Sequence, residues 1–483
     1  MRKQWEDDEL DLARSQTDPL ADETIEEIFA TRSLESVNRV LDSLADNGAP
    51  LPDDTPLVLR RYLDATRALP PWACAESLCR AHELYRLFSP QIGLGLLCGS
   101  LPEGYAAVNV ANLLGLTKGM GQMASRRLHE TTQFLLDVCA TGAFDDHGRA
   151  VRSIQKVRLM HAAVRVFSRR HPDWRPSWGQ PINQEDMLGT VMGFSIVPLD
   201  GLRRLGIRVE PSLEQGYLHL WCVAGAMLGV REDLLPHTPA EARWLMDEGR
   251  RRHYGPSEPG RRLTESVVEY IAGVLPWPAT QETAKELIHF FVGSKVTVHL
   301  GLTAPRTASR TLRVLCNASR AHGRMARMGP HGRTAAARAS GVVVRFSESL
   351  SRDKVTRFLI PPAERRQWTL GALFRRAPRQ PLQEPLPATV NHGEHREAAR
   401  IREVCEQGLQ LELERCWLDT GARLTIEVAL GELACVLHVN VRQARSVGNV
   451  TLLGCEFARS PAPAWQDYVG RTAPDRTTAA SRS

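Results

Sequence analysis

The sequence predicts a multidomain protein in which a large all-α helical unit is followed by a small all-β barrel. At 483 residues the chain is too long for one ordinary hydrophobic core. From Trp72 to about Leu300, long segments rich in Ala, Leu, Arg and Glu are separated by Pro and Gly signals, and alternating β patterns are almost absent. After about Ser340 short β-patterned segments take over. We therefore expect a helical unit over residues 1–371, able to enclose a cofactor between its helices.

The second unit is predicted from short segments with strand character and intervening turn chemistry. Gly341–Phe346 and Lys354–Ile360 are strand-like and end at a Pro pair. Six further segments follow a Pro-rich stretch: Ala388–Val390, Ala398–Val404, Leu409–Leu413, Ala422–Val428, Ala434–Val441 and Thr451–Phe457. Six short strands at close spacing indicate a small barrel or sandwich over residues 372–470. The Thr-, Ala-, Ser- and Arg-rich residues 471–483 are expected to form a disordered tail.

Composition indicates an ordinary globular protein, with 43% hydrophobic and 24% charged residues. The stretch Ala304–Arg379 is strongly basic, with sixteen Arg and one Lys against three acidic residues. We expect most of these arginines to form a solvated face. No interleaved aromatic residues or known nucleic-acid module accompany them, so DNA is not an expected partner.

The ten cysteines and the N-terminus favour a reducing, cytoplasmic location. No CxxC pair occurs, so zinc-site and thioredoxin-like spacings are absent. The N-terminus has no apolar signal region. The longest apolar stretches, Met187–Leu199 and Gly216–Val230, fall short of the ~20 residues that a transmembrane helix needs. They are predicted to be buried helices, and no transmembrane segment is expected.

One histidine lies on the apolar stripe of a predicted helix, Ala150–Arg170. Ile154, Val157, His161 and Val164 recur at helical spacing, while Arg152, Lys156, Arg165 and Arg169 fill the remaining face. A buried imidazole needs either a hydrogen-bond partner or a metal. Periodicity leaves both possibilities open.

Ordered motifs across residues 18–373 resemble the MpaB/rubber oxygenase (latex clearing protein) family. They include GSLPEGYAA at Gly99, RRLHETTQF at Arg126, KVRLMHAAVR at Lys156, PINQEDMLGT at Pro181 and YLHLW at Tyr217, after an opening TDPLAD at Thr17. The resemblance implies a globin-like helical bundle that holds haem b, with His161 as the proximal iron ligand. It also implies that Arg127 and Thr131 lie near the distal side or the haem propionates. The alternative for these two residues is a surface charge and a helix-packing hydroxyl.

Two positions depart from the family pattern, and both concern distal chemistry. Latex clearing proteins carry a lysine just before the threonine, where this chain has Glu130. Their catalytic glutamate falls at Ala111 in this chain. Rubber is therefore not an expected substrate. Glu130 could serve as a base or weak distal ligand, or it could be an exposed helix residue paired with Arg126 or Arg127.

Other polar residues in these motifs are expected to have structural roles. Asn183 and Gln184 are predicted to form a cap or hydrogen-bond network, and Asp186 to cap the helix that starts near Met187. His129 and His219 are further candidate iron ligands. His219, among Leu218, Leu220 and Trp221, is predicted to be a satisfied core histidine.

The C-terminal unit resembles a PilZ domain. Arg375 and Arg379 form an RxxxR pair, and Glu403, Cys405 and Gly408 occupy the positions of the second PilZ motif. The resemblance implies cyclic di-GMP as an effector, since paired guanidinium groups bind phosphate and stack on guanine. The second motif keeps only its glycine, so a purely structural or docking barrel is the alternative.

Three functions remain open from the sequence. The first is a haem-dependent oxygenase that acts on an apolar small molecule with O2 and carries a regulatory PilZ-like module. Its catalytic residues would be Glu130, Thr131 and Arg127. The second is a non-catalytic signalling protein that responds to cyclic di-GMP or docks a partner. The third is a haem-based sensor.

Overall fold

The protein divides into two compact units, Met1–Phe374 and Arg375–Ser483. The computed structural model describes residues 5–31, 33–116, 120–171, 173–274, 280–303, 309–351, 380–392, 395–405, 408–413, 422–430, 433–447, 450–457 and 465. Within the described residues the first unit is helical and the second is a sheet. The prediction of a helical region followed by an all-β region is therefore confirmed.

The helical unit contains these helices among its described residues: α1 (Asp7–Ser15), α2 (Pro19–Ala30), α3 (Leu34–Ser43), α4 (Leu57–Ala65), α5 (Ala75–Gly95), α6 (Leu101–Ala106), α7 (Val108–Gly115), α8 (Met120–Cys139), α9 (Ala150–Arg169), α10 (Gln184–Arg204), α11 (Pro211–Met227), α12 (Pro239–His253), α13 (Glu258–Val274), α14 (Gln281–Val292), α15 (Ser294–His299), α16 (Arg310–Ala326) and α17 (Gly329–Ser351). A π-helical turn, Leu96–Ser100, joins α5 to α6.

Helices α5, α10 and α11 form the centre of the larger core. Small residues let them approach closely: a Cβ on Gly216 of α11 would lie 2.7 Å from the Ser77 carbonyl oxygen at the start of α5. The two apolar stretches predicted as buried helices fall in α10 and α11 and line this core. No helix among the described residues is both long enough and apolar enough to cross a membrane.

The strand predicted at Gly341–Phe346 is wrong, because these residues continue α17. Three successive valines favour a strand. However, the Ala- and Arg-rich run before them already forms a helix, and extending a formed helix costs less free energy than starting a new one. The contact of α17 with α5 supports it, since the Ser340 hydroxyl donates to the Leu87 carbonyl at 2.7 Å. The other strand-like segment, Lys354–Ile360, lies outside the described residues.

The described residues of the basic block confirm the expected solvated face where they form α16. Leu312, Cys316 and Ser319 face the protein, while the arginines of this helix are exposed: Arg310, Arg313, Arg320 and Arg324. Arg333 of α17 differs because it bridges Glu83 and Glu210.

The described residues of the second unit form six antiparallel strands at the predicted positions: β1 (Gln380–His392), β2 (His395–Cys405), β3 (Gly408–Leu413), β4 (Arg423–Leu430), β5 (Leu433–Val447) and β6 (Val450–Phe457). The strand order is β1-β2-β3-β6-β5-β4, and pairing of β1 with β4 closes the ring. Alternation places Leu409, Leu411 and Leu413 of β3 inside, with Gln410 and Glu412 between them.

Candidate functional site

His161 lies in the middle of α9 and is the histidine around which the candidate site is built, although His82 also has a buried ring nitrogen without a partner. The Nδ1 atom of His161 is buried and has no hydrogen-bond partner in the structure. Desolvation by burial, followed by the nearby positive charge of Arg165, lowers its pKa from 6.5 to about 4, although Asp18 acts in the opposite direction. The imidazole is therefore neutral at pH 7, the form in which histidine binds a metal.

The surroundings of His161 fit a ligand held between helices. The residue keeps some accessible surface even though desolvation dominates the pKa of its side chain. Val164 and Leu113 form a small buried cluster beside it, with Met160 and Ile182 packed against them. No group of three or more His, Cys, Asp or Glu side chains that could hold a metal occurs among the described residues. One neutral imidazole in an apolar setting is a donor set that suits haem iron, whose porphyrin supplies the other ligands.

Helices α8 and α9 form a hairpin that brings Thr131 and His161 to similar positions along the two helix axes. The two helices pack together, and the Ser153 hydroxyl donates to Asp137 near the connecting loop. In an antiparallel pair with this register, His161 lies level with residue 129. Thr131 is then displaced along the helix axis by only ~3 Å, at 1.5 Å per residue.

Glu130 and Thr131 are both half-buried on α8, and Glu130 already has an interaction partner. Both predictions for Glu130, a base or weak distal ligand and a helix residue paired with Arg126 or Arg127, therefore stay open. Arg127 and His129 belong to the same helix, but their side chains lie outside the described residues. One turn further along, Phe134 contacts the Phe194 ring at a centroid distance of 6.1 Å.

Aromatic side chains extend the apolar lining beyond α8. Phe194 of α10 stacks on Trp221 of α11 with 4.5 Å between ring centroids. Ala111 of α7, at the family's glutamate position, is completely buried. Because alanine offers no proton donor or acceptor there, α7 contributes only apolar surface at that position.

A buried charge network lies along the same side of α9 as His161, and the sequence analysis did not predict it. Arg165 is fully buried and donates from Nε to Asp22 Oδ1 at 2.6 Å. Arg158 holds Asp18 with two bonds, Nε to Oδ2 at 2.6 Å and Nη2 to Oδ1 at 2.8 Å. Arg169 reaches Asp22 Oδ2 at 3.1 Å. The TDPLAD motif was the available signal, since it places two carboxylates four residues apart.

The face of α9 outside its apolar stripe is not a simple polar surface, because several of its charged residues are buried. Arg152 is 5% exposed and bonds to the Gln155 side chain at 3.0 Å. Lys156 donates to the Leu44 carbonyl at 2.9 Å. The acidic N-terminal segment covers this face, so positive residues of α9 are buried against carboxylates and carbonyls.

The predicted helix cap at Asp186 is wrong, because Asn183 is the capping residue. Its side chain accepts from the Asp186 backbone N–H at 2.9 Å, and its amide donates to the Asp186 carboxylate at 2.8 Å. Asparagine is as good a cap as aspartate, so local sequence does not distinguish them. Gln184 makes the predicted network, donating to the Thr17 and Gly229 carbonyls.

His219 is satisfied, as predicted. Its Nε2 accepts from the Cys74 backbone N–H at 2.9 Å, and the ring meets Trp72 edge-on. It is only half-buried, so it lies at the edge of the core. Among His161 and His219, therefore, only His161 has a buried ring nitrogen without a partner.

A second buried carboxylate, Glu103, was missed by sequence reasoning. Arg250 donates to it from Nη2 at 2.6 Å and from Nε at 2.9 Å, and the Tyr254 hydroxyl donates at 3.0 Å. Glu103 is 2% exposed. Its partners lie 147 and 151 residues away in the chain, so no local pattern indicates the contact.

In the second unit the second PilZ-like motif falls at the β2–β3 turn. Glu403 is half-buried near the end of β2, and Cys405 pairs with Gly408 across the turn. The side chain of Cys405 is outside the described residues, as are Arg375 and Arg379 entirely. The arrangement of these five residues as one nucleotide site stays a prediction.

Comparison with known proteins matches the helical unit. Residues 91–321 fit the family model described as "ER-bound oxygenase mpaB/B'/Rubber oxygenase, catalytic domain". A Streptomyces sp. (strain K30) protein named "Rubber oxygenase" is 28% identical over 230 residues, which is 46% of this chain. The match spans 55% of that relative's length. The structure "Latex Clearing Protein LCP in the closed state" aligns with a TM-score of 0.57 at 22% identity, covering 70% of this chain and 90% of the other.

By these matches the helical unit is similar, in sequence and in fold, to an oxygenase-type catalytic domain. The particular family that residues 91–321 match is the MpaB/rubber oxygenase family, and the resemblance inferred from the sequence motifs is confirmed to that extent. The PilZ resemblance remains a prediction.

Proposed function

We propose that the protein is a haem b-dependent oxygenase that acts on an apolar small molecule with O2, with His161 as the iron ligand. The observation that carries the proposal is the buried, unpartnered Nδ1 of a neutral His161, at the histidine of the family-like KVRLMHA motif. Burial keeps the imidazole in the neutral form that binds a metal, and coordination gives this ring a role that the protein alone does not.

Bound haem would supply redox chemistry toward dioxygen that the side chains lack. The protein's part is to bind and orient. His161 would hold the iron, and the apolar side chains of Leu113, Val164 and Phe134 would exclude water. On α8 the Thr131 hydroxyl offers a hydrogen-bond donor and the Glu130 carboxylate can take up a proton. We place Arg127 near the haem propionates, which a guanidinium binds well.

The substrate class follows from what lines the region. The described side chains around it are mostly aliphatic or aromatic, including Met160, Phe194 and Trp221. An apolar small molecule or alkene suits such a lining. The distal residues Glu130 and Ala111 differ from those of latex clearing proteins, so we do not propose rubber as the substrate.

The test is a visible spectrum of the full chain, produced with an ample porphyrin supply. We expect a Soret band in the wild type, its loss in His161→Ala, and its partial return when imidazole is added to that variant. His219→Ala is the matched control, because it removes a satisfied histidine and should keep the band. Circular dichroism of both variants separates loss of haem from loss of fold.

The other outcomes identify the alternatives. A colourless wild type, with no haem in an acid extract, contradicts the oxygenase proposal and favours a non-catalytic signalling protein. A haem-bound protein that consumes no oxygen with apolar alkenes favours a haem-based sensor. Alkene-dependent oxygen uptake that is lost in His161→Ala supports the oxygenase.

For the second unit we propose a PilZ-like regulatory or docking module. The six short antiparallel strands and the position of Glu403 and Gly408 at one turn support the proposal. Calorimetry with cyclic di-GMP should detect binding that Arg375→Ala removes. Arg376→Ala is the matched control, because it changes an adjacent arginine outside the RxxxR spacing. No heat of binding in the wild type leaves the docking role and excludes the receptor.

A further inference from the structure

Asp18 lies across the stretch of α9 that carries His161. Arg158 precedes the histidine by three residues and Arg165 follows it by four, so all three side chains share one face of the helix. Both arginines approach the same oxygen, Asp18 Oδ2, at 2.6 Å from Arg158 Nε and 4.0 Å from Arg165 Nη2. The carboxylate therefore spans the two turns that flank His161.

This arrangement is buried, so its charges act strongly on one another. Asp18 is 3% exposed and Arg165 is 0% exposed. Two buried polar atoms on this face of α9 have no hydrogen-bond partner, Nδ1 of His161 and Nη2 of Arg165, and the second lies 4.0 Å from Asp18 Oδ2. In such a low-dielectric setting an unbalanced charge changes the properties of a neighbouring imidazole more than it would at the surface.

We propose that Asp18 is the positioning residue for His161. It balances the two arginines beside the ring, and its negative charge favours the tautomer with the proton on Nδ1, so that Nε2 becomes a stronger donor to iron. Ligating histidines commonly donate their second N–H to such a carboxylate or carbonyl. This inference rests on the proposed function, because it gives His161 an iron to bind.

The absence of a side chain at Gly229 leaves the space that the Asp18 carboxylate occupies. Gly229 faces Asp18 with a φ of +94°, and a Cβ there would lie 2.5 Å from Asp18 Oδ2. Asp22, the second carboxylate of the motif, pairs with Arg165 and Arg169 and so lies further along α9. Asp18 is thus the described carboxylate that ion-pairs with both turns around the histidine.

The test compares Asp18→Asn with Asp22→Asn in the full chain. Asn keeps the shape of Asp18 and its role as the α2 cap, where the side chain accepts from Ala21. We expect Asp18→Asn to raise the haem midpoint potential and to weaken haem retention about 10- to 100-fold, the usual effect of losing such a partner. Asp22→Asn removes a charge from the same motif, but Asp22 pairs with Arg165 and Arg169 only, so it should shift the potential and retention less than Asp18→Asn does.

Equal potentials and haem-loss rates in the two variants would overturn the role of Asp18. If Asp18→Asn does not fold, Asp18→Glu and Asp22→Glu replace the pair, and a potential shift only in the first supports the proposal. No shift in Asp18→Glu contradicts it. If the wild type binds haem and its Soret band is lost in His161→Ala, the proposed function is supported whether or not Asp18 has the role proposed here. A wild type without haem removes both.

Discussion

Arg250 holds Glu103 with a two-pronged ion pair, Nη2 to Oε1 at 2.6 Å and Nε to Oε2 at 2.9 Å, which ties α12 to α6. The carboxylate is 3% exposed and the guanidinium 32%. Because the arginine can partly rehydrate, breaking the pair costs less than in a fully buried case. The contact fixes the segment that follows the π-helical turn.

Glu103→Gln should lower the free energy of unfolding of the helical unit by about 2–3 kcal/mol, since a guanidinium loses its charged partner in a mostly buried site. Denaturant unfolding followed by circular dichroism measures the change. Tyr254→Phe removes only one hydrogen bond to the same carboxylate and should cost about 1 kcal/mol. Equal effects of the two variants would show that charge pairing contributes little.

A double-mutant cycle on Asp22 and Arg165 should give a coupling energy of about 2 kcal/mol or more, because both groups are buried and 2.6 Å apart. Asp22→Leu alone leaves a buried guanidinium with weakened compensation and should cost about 3–5 kcal/mol. The double change to Leu and Met should recover part of that loss. The exposed pair Arg61–Glu27 is the control, with an expected coupling below about 1 kcal/mol.

Lowering the pH should reduce the free energy of unfolding of the helical unit, because Glu185 becomes protonated. Burial opposes its charge, but hydrogen bonds from His253 and Arg252 outweigh burial and bring the pKa of Glu185 from 4.5 to about 2. A carboxyl whose folded pKa is depressed stabilises the fold above its unfolded pKa, and this contribution disappears as the pH falls from about 4.5 to about 2. Glu185→Gln should have a lower free energy of unfolding than the wild type at pH 7. Its free energy of unfolding should also change less as the pH falls from about 4.5 to about 2. An unchanged profile contradicts the assignment.

Much of the fold could be predicted because periodicity and turn chemistry are local signals. The six strands follow from alternation such as that of Leu409, Leu411 and Leu413, and the stripe through His161 follows from helical spacing. Gly341–Phe346 was predicted wrongly because three valines carry a strand signal that the helical run before them and the Ser340 contact override.

The candidate site was only partly predictable for a different reason. Residue type and spacing identified His161, but its unpartnered Nδ1 depends on which helices surround it. The partners of Glu103 and Asp22 are more than 140 residues distant, so the local sequence does not indicate which arginine each carboxylate pairs with. Asp186 shows a limit of local sequence: Asn183 and Asp186, three residues apart and equally good as caps, cannot be ranked without the backbone.

Glu130 provides the last prediction, which concerns chemistry more than stability. If its carboxylate takes up a proton during turnover, Glu130→Gln should lower the rate of alkene-dependent oxygen uptake about 100-fold or more, because a positioned acid or base contributes ~10²–10⁴-fold. The Soret band should remain, since His161 is unchanged. The rate should no longer vary with pH over the range in which the Glu130 carboxyl ionises. Gln133→Glu is the control on the exposed side of the same helix and should leave the rate unchanged. A rate in Glu130→Gln equal to that of the control would assign Glu130 to helix packing and leave Thr131 as the polar distal group.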